Sequence, residues 1–239
     1  MKIYDECLLG VGELLEQFPA KQLNIQSGAP WQDSGKNQVI LQSDSAYELG
    51  KGSLPAVSSI ALTDKEDFVP RDEVLLIGKD LPEIKEDLPF ARIALIRVDE
   101  KEMGSGDELY NAIRKIEFVR YHLHPEGYMM RISAFTHREA VRVSKKGLKD
   151  GLDFAKVGKL FIDEYKKCPQ VKAVKLLFVT DPDFPYDRLE KIMEKSEQIT
   201  TALDHIMKNI KMDCETCSLK TVCDEVEALK DRQFSQERT

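Results

Sequence analysis

Val171 to Thr180 reads VKAVKLLFVT. Its dense β-branched and apolar residues, bounded by Pro169 and by Pro182, predict a β-strand. Working outward, Asp153 is placed to cap a helix whose Phe154, Val157, Phe161 and Tyr165 share one side, ending near Cys168-Pro169. Beyond the strand, the turn DPDFPYD (Asp181 to Asp187), with an N-cap at Asp187, opens a helix marked by Leu189, Ile192, Met193, Ile199, Leu203, Ile206 and Ile210. Its span of about 25 residues gives a length of about 37 Å. Upstream, Tyr128 to Phe135 and Arg138 to Ser144 predict a hairpin split at Thr136 and His137. Arg138, Ala140, Arg142 and Ser144 share one face of the second run, so that face is small and basic. Ser105-x-x-Glu108 has the spacing of a capping box before a helix carrying Leu109, Ile113, Ile116 and Val119 and running to His122.

The first hundred residues are mainly β. Strands are predicted at Gln38 to Gln42, Ser58 to Leu62, Glu73 to Ile77 and Ala91 to Val98, with the proline-bearing Lys79 to Pro89 as a connection. An amphipathic helix from Tyr4 to Phe18 precedes them, weakened by Gly10 and Gly12, and Gln22 to Asn37 reads as a long loop holding the only tryptophan, Trp31. Together these elements predict an α/β fold: a mixed sheet with flanking helices over residues 1–210, followed by a small cysteine-bearing appendage over 211–239.

With 239 residues and 42% hydrophobic content, the chain can bury one sizeable core or two small ones. No apolar run approaches the ~20 residues needed to span a bilayer, and Met1 to Asp5 does not resemble a signal peptide, so a soluble, cytoplasmic protein in a reducing compartment is expected. The net charge of -7 is uneven. Asn111 to Thr180 holds 15 lysines and arginines against 7 aspartates and glutamates, an excess of 8 positive charges, leaving -15 for the rest. A basic middle within an acidic chain suits an anionic small ligand or an acidic protein partner better than nucleic acid, or else is a solvated lysine-rich surface.

Chemistry is written most plainly in DCETCSLKTVCD, Asp213 to Asp224, where Cys214, Cys217 and Cys223 fall within ten residues. A C-x-x-C turn brings two thiolates to one metal, and a third five residues on can close over the same centre. This spacing fits an iron-sulfur cluster of the 4Fe-4S type. Zinc is the alternative, although the second C-x-x-C or H-x3-5-H of a structural zinc site is missing, and unligated thiols are the third reading. Cys7, Cys168, a histidine or a carboxylate could supply a fourth ligand. His122 and His124, flanking Leu123, could also reach a metal, but paired histidines at a helix end are more often caps or solvated side chains. DPDFPYD lacks the spacing of a calcium loop, and Gly104-Ser105-Gly106 lacks the rest of a phosphate-binding fingerprint.

EAVRVSKKGLKDGLDFAKVGKLFIDEYKKCPQVKAVKLLFVTD, Glu139 to Asp181, resembles the middle domain of acetyl-CoA synthase, the β subunit of the carbon monoxide dehydrogenase/acetyl-CoA synthase complex. A strand ending in RVSK (Arg142 to Lys145), a Lys/Gly-rich link, a helix and a strand ending in T-D come in the same order. DEVLLIGKDLPEI and ILQSDSAYELGKGSLPAVSSIALTD extend the similarity over roughly residues 36 to 195. The resemblance implies an arginine-rich surface facing coenzyme A, with Arg138, Arg142 and Lys145 as cofactor-binding side chains, although Ala140 stands where the family has an aromatic residue. The nickel site of the synthase needs a C-x-C tripeptide that is absent, so the chain is not expected to assemble an acetyl group by itself. The resemblance therefore implies an auxiliary iron-sulfur protein that docks onto a CO dehydrogenase, acetyl-CoA synthase or corrinoid-protein partner, or passes electrons to it. A binding module merely stapled by zinc or a cluster is the alternative.

Overall fold

The computed structural model describes residues 1–25, 30–132, 138–207 and 219–227. In chain order the elements are α1 (Asp5–Gln17), β1 (Lys21–Leu23), β2 (Ser45–Leu49), β3 (Ala56–Thr63), β4 (Glu73–Ile77), β5 (Phe90–Val98), α2 (Asp107–His122), β6 (Tyr128–Ile132), β7 (Glu139–Ser144), α3 (Lys145–Lys149), α4 (Phe154–Tyr165), β8 (Val171–Val179) and α5 (Tyr186–Met207). A further helix, α6, covers 220–227.

The strand at 171–179 sits in the middle of a five-stranded sheet of order β1-β4-β8-β5-β3. It pairs parallel to β4 and antiparallel to β5, while β5 is parallel to β3, so the sheet is mixed and flanked by helices. All of β3 and nearly all of β5 are buried, which is why these strands read as continuous apolar runs rather than alternating ones. Helix α4 lies on the face carrying Val74 and Phe178. Phe154 stacks on Phe178 at 4.4 Å between ring centroids, and a Cβ at Gly158 would stand 2.5 Å from Val74 Cγ2, so only glycine permits that approach. Glycine has the same use in α1. A Cβ at Gly10 would meet Ile192 Cγ2 of α5 at 2.9 Å, and the residue that weakens the helix in isolation lets two helices touch.

A second, three-stranded antiparallel sheet has the order β2-β7-β6. Its link to the first is a buried ion pair. Arg92 of β5, 2% exposed, donates from Nε to Glu139 Oε1 of β7 at 3.0 Å and from Nη2 to Oε2, and its guanidinium lies 4.0 Å from the Phe161 ring centroid. Around this pair the buried hydroxyls of Tyr128 and Tyr165 have no hydrogen-bond partner among the described residues. Burial pushes the Tyr165 phenol up to about 12.

Several predicted details differ. Gln38 to Gln42 has strand-forming residues but no ladder: Val39 is 80% and Leu41 60% exposed, and Gln42–Asp44 turns as a 3-10 helix into the unforeseen β2. The Ser105/Glu108 capping box does not form, because Gly106 is the N-cap of α2 and takes a positive φ of 53°. Helix α5 starts at Tyr186, one residue before the expected cap Asp187, and the Lys/Gly-rich link contains α3, whose Ser144 Oγ accepts from Gly147 N at 2.8 Å. The split at Thr136 and His137, together with Cys214, Cys217 and the end of the chain from 228, lies outside the described residues. No helix among the described residues is long and apolar enough to cross a membrane.

Candidate functional site

Two regions carry the residues singled out by sequence, a cleft beside the small sheet and the surface where α6 docks. The cleft, of about 1250 Å³, lies between the loop holding Trp31, residues 36–40 and the start of α3. Its floor is a close backbone crossing. Gly127, at φ 77°, accepts from Ser144 N at 2.9 Å, and a Cβ there would lie 2.9 Å from both Gly147 Cα and Ser144 Oγ. One wall is fixed by the indole of Trp31, which donates to the Glu126 carbonyl at 2.9 Å, and by Ser34 N and Glu126 N, which bond His124 O and Gln32 O. The part of the predicted loop from 31 to 34 is thus pinned, and its tryptophan is half-buried against the core.

Four lysines reach this cleft from separate parts of the chain. Lys145 donates to Ser43 O at 2.9 Å, and Lys146 pairs with Glu126 at 3.2 Å. Lys156 bonds Gly151 O, approaches Asp153 at 3.4 Å and lies 5.4 Å from the Trp31 ring centroid. Lys36 has no ion pair or hydrogen bond among the described residues. Asp44 and Asp150 stand in the same cleft without ion pairs among the described residues, so it offers charges of both signs around an apolar strip of Pro30, Trp31, Val39 and Ile40.

Of the three side chains implied for a cofactor, only Lys145 lines the cleft. Arg142 is occupied from both ends: Nε and Nη2 bond Glu48 Oε1 at 3.1 and 2.9 Å, and Nη1 bonds Ile40 O at 2.6 Å. Glu48, directly across from Arg142 in the β2/β7 register, also takes Arg131 of β6, so the basic face of β7 is neutralised where it was expected to be open. Arg138 turns away to the carbonyls of Gly52 and Leu54 at 3.0 and 2.6 Å. Arg142 and Lys145 together fasten residues 40–43, whereas Arg138 fastens 52–54.

The second region surrounds Cys223. Helix α6 places Val222 and Val226 in the core at 6% and 3% exposure, and Glu225 pairs with Lys195 of α5 at 3.0 Å. Cys223 is half-buried in this docked helix. Cys214 and Cys217 lie outside the described residues, and no group of three metal-ligating side chains gathers among the described ones. Cys7 and Cys168 are fully enclosed. Burial pushes the Cys7 thiol up to about 11 and raises that of Cys168, so both stay protonated at neutral pH in the metal-free chain. His122 is exposed and stacks on Phe118, with Nδ1 3.1 Å from Phe118 O, a helix-end contact rather than part of a ligand cluster.

Sequence reasoning missed Lys36, Lys146 and Lys156 as cleft residues, and it missed the Arg92–Glu139 pair. The pair had a signal: ARIALIRV carries two arginines in an apolar run, and one that is buried there must find a buried partner. The lysines had none, since only the fold brings 36, 146 and 156 together. Comparison with protein-family models and with curated proteins returned no match.

Proposed function

We propose that the chain is an auxiliary iron-sulfur protein of the CO dehydrogenase/acetyl-CoA synthase kind, with Cys214, Cys217 and Cys223 holding a 4Fe-4S cluster and no nickel site of its own. The supporting observation is the seating of α6. Val222, Val226 and the Glu225–Lys195 pair hold Cys223 at a fixed, half-buried position on the α5 surface, and a thiol anchored in this way is preorganised for a centre closed by the two preceding cysteines. The protein's task in this reading is to dock onto its partner and to pass single electrons or stiffen the contact.

The test is anaerobic purification with iron, sulfide and zinc analysis. Broad absorption near ~400 nm that bleaches on reduction and is lost in Cys223→Ser supports the cluster. One zinc per chain and no colour would replace it with the stapled binding module. Failure to associate with CO dehydrogenase or the corrinoid protein at low salt would remove the partner assignment.

A further inference from the structure

We propose that the lysine-rimmed cleft is a docking trough for an extended segment of a partner protein, which adds as a strand beside residues 36–39 and places apolar side chains against Val39 and Trp31. The inference does not depend on the cysteine centre. It begins from a stretch whose sequence forms strands and whose backbone is unpaired. Among the described residues, the backbone N–H and C=O groups of Lys36, Asn37, Gln38 and Val39 make no hydrogen bond. The stretch is nonetheless held at both ends: Asn37 Nδ2 donates to Met130 O at 3.2 Å, and Ile40 is buried with its carbonyl on Arg142. Its position is therefore set before anything binds, which lowers the ordering cost of association.

The surroundings select the occupant. At about 1250 Å³ the trough exceeds the roughly 300–1,000 Å³ of small-molecule sites. Asp44 and Asp150 share it with the lysines, which counts against a polyanion. Val39, which lines the trough, and Leu41 beside it are two of the most exposed large hydrophobic residues described, at 80% and 60%. Among the described residues Lys36 has no partner and Lys145 bonds only a carbonyl, so two ammonium groups stand there without a carboxylate. The matching partner is an extended segment with apolar side chains at alternate positions and acidic residues between them. Main-chain bonds to 36–39 supply affinity, and the contacts with Val39, Trp31 and Lys36 supply selectivity.

Trp31 is the only tryptophan, so its fluorescence reports this cleft alone. A random-peptide library is selected against the full-length chain, and enriched peptides are titrated while Trp31 emission is followed. Expected are alternating apolar and acidic sequences, a saturable change in emission, and a loss of about tenfold or more in affinity for Val39→Pro, which removes a backbone donor at an exposed position. Lys36→Glu should shift selection toward basic peptides, and it tests the proposal even if Val39→Pro disturbs the fold. The proposal is overturned if enriched peptides bind Val39→Pro and Lys36→Glu as tightly as the parent, if they bind without altering Trp31 emission, or if pyrophosphate alone saturates the change.

Discussion

Replacing Glu139 by alanine strands the Arg92 guanidinium between the two sheets. Arg92 is 2% and Glu139 0% exposed, so water cannot take over the lost carboxylate without opening the interface. Nε and Nη2 would both lose their strongest acceptor. What remains is Ser58 Oγ at 3.4 Å, long for a hydrogen bond, and the face of Phe161. Breaking a buried pair from one side costs about 3–5 kcal/mol, because the penalty is an uncompensated charge rather than the lost attraction. With an m-value of about 2 kcal/mol/M, the urea midpoint should fall by about 1.5–2.5 M. Equilibrium unfolding followed by circular dichroism at pH 7 measures it. The double replacement Arg92→Met with Glu139→Leu removes both charges and should recover most of the loss. A cost below about 1 kcal/mol for Glu139→Ala, or a double variant no more stable than the single one, would refute the reasoning, because it would mean that the charge is hydrated in the folded state.

The same reasoning yields opposite signs for two glycines of α1. Gly12→Ala meets nothing within 4 Å and should stabilise by about 0.5–1 kcal/mol through helix propensity. Gly10→Ala must displace Ile192 and should destabilise, with thermal unfolding of the two variants as the measurement. Burial, with Glu190, Glu194 and Glu117 nearby and Arg120 opposing, pushes the Glu197 carboxyl up to about 7 from 4.5. The folded state then binds this proton more tightly, so stability falls as pH rises from about 4.5 through 7. Glu197→Gln should raise the melting temperature at pH 8 and leave it unchanged at pH 4, by about 1 kcal/mol or less given solvent screening. A thiol-labelling course at pH 8 should find Cys7 and Cys168 silent until unfolding, since burial holds both thiols protonated and enclosed.

The fold was legible wherever burial is continuous or helically periodic. Val171 to Val179, Phe154 to Tyr165 and Asp107 to His122 could be placed from their own residues, because a run that must be covered on both faces, or along one stripe, carries that demand in its composition. Pairing was not legible. Nothing in Ser45 to Leu49 announces a strand until Arg142 faces Glu48 from β7, and nothing in ARIALIRV says that Arg92, rather than Arg97, reaches a glutamate 47 residues later.

The error at Gln38 to Gln42 is of another kind, and it bears on function. QVILQ has the residues of a strand and lies in place beside β6, yet among the described residues no strand pairs with it: Ile40 bonds the side chains of Met129 and Arg142, Leu41 O closes the following turn, and the main chain of Gln38 and Val39 makes no hydrogen bond. Local preference and tertiary structure usually agree, and disagreements gather at functional sites. Here the local preference is for a ladder, and the fold leaves room for one beside a tryptophan and two lysines that have no carboxylate among the described residues. The basic face foreseen on β7 was spent internally on Glu48 and on the carbonyl of Ile40. That contact holds Ile40 in place, so in the proposed docking Arg142 would act by positioning the backbone that a partner meets, while Lys36 and Lys145 face it from the cleft.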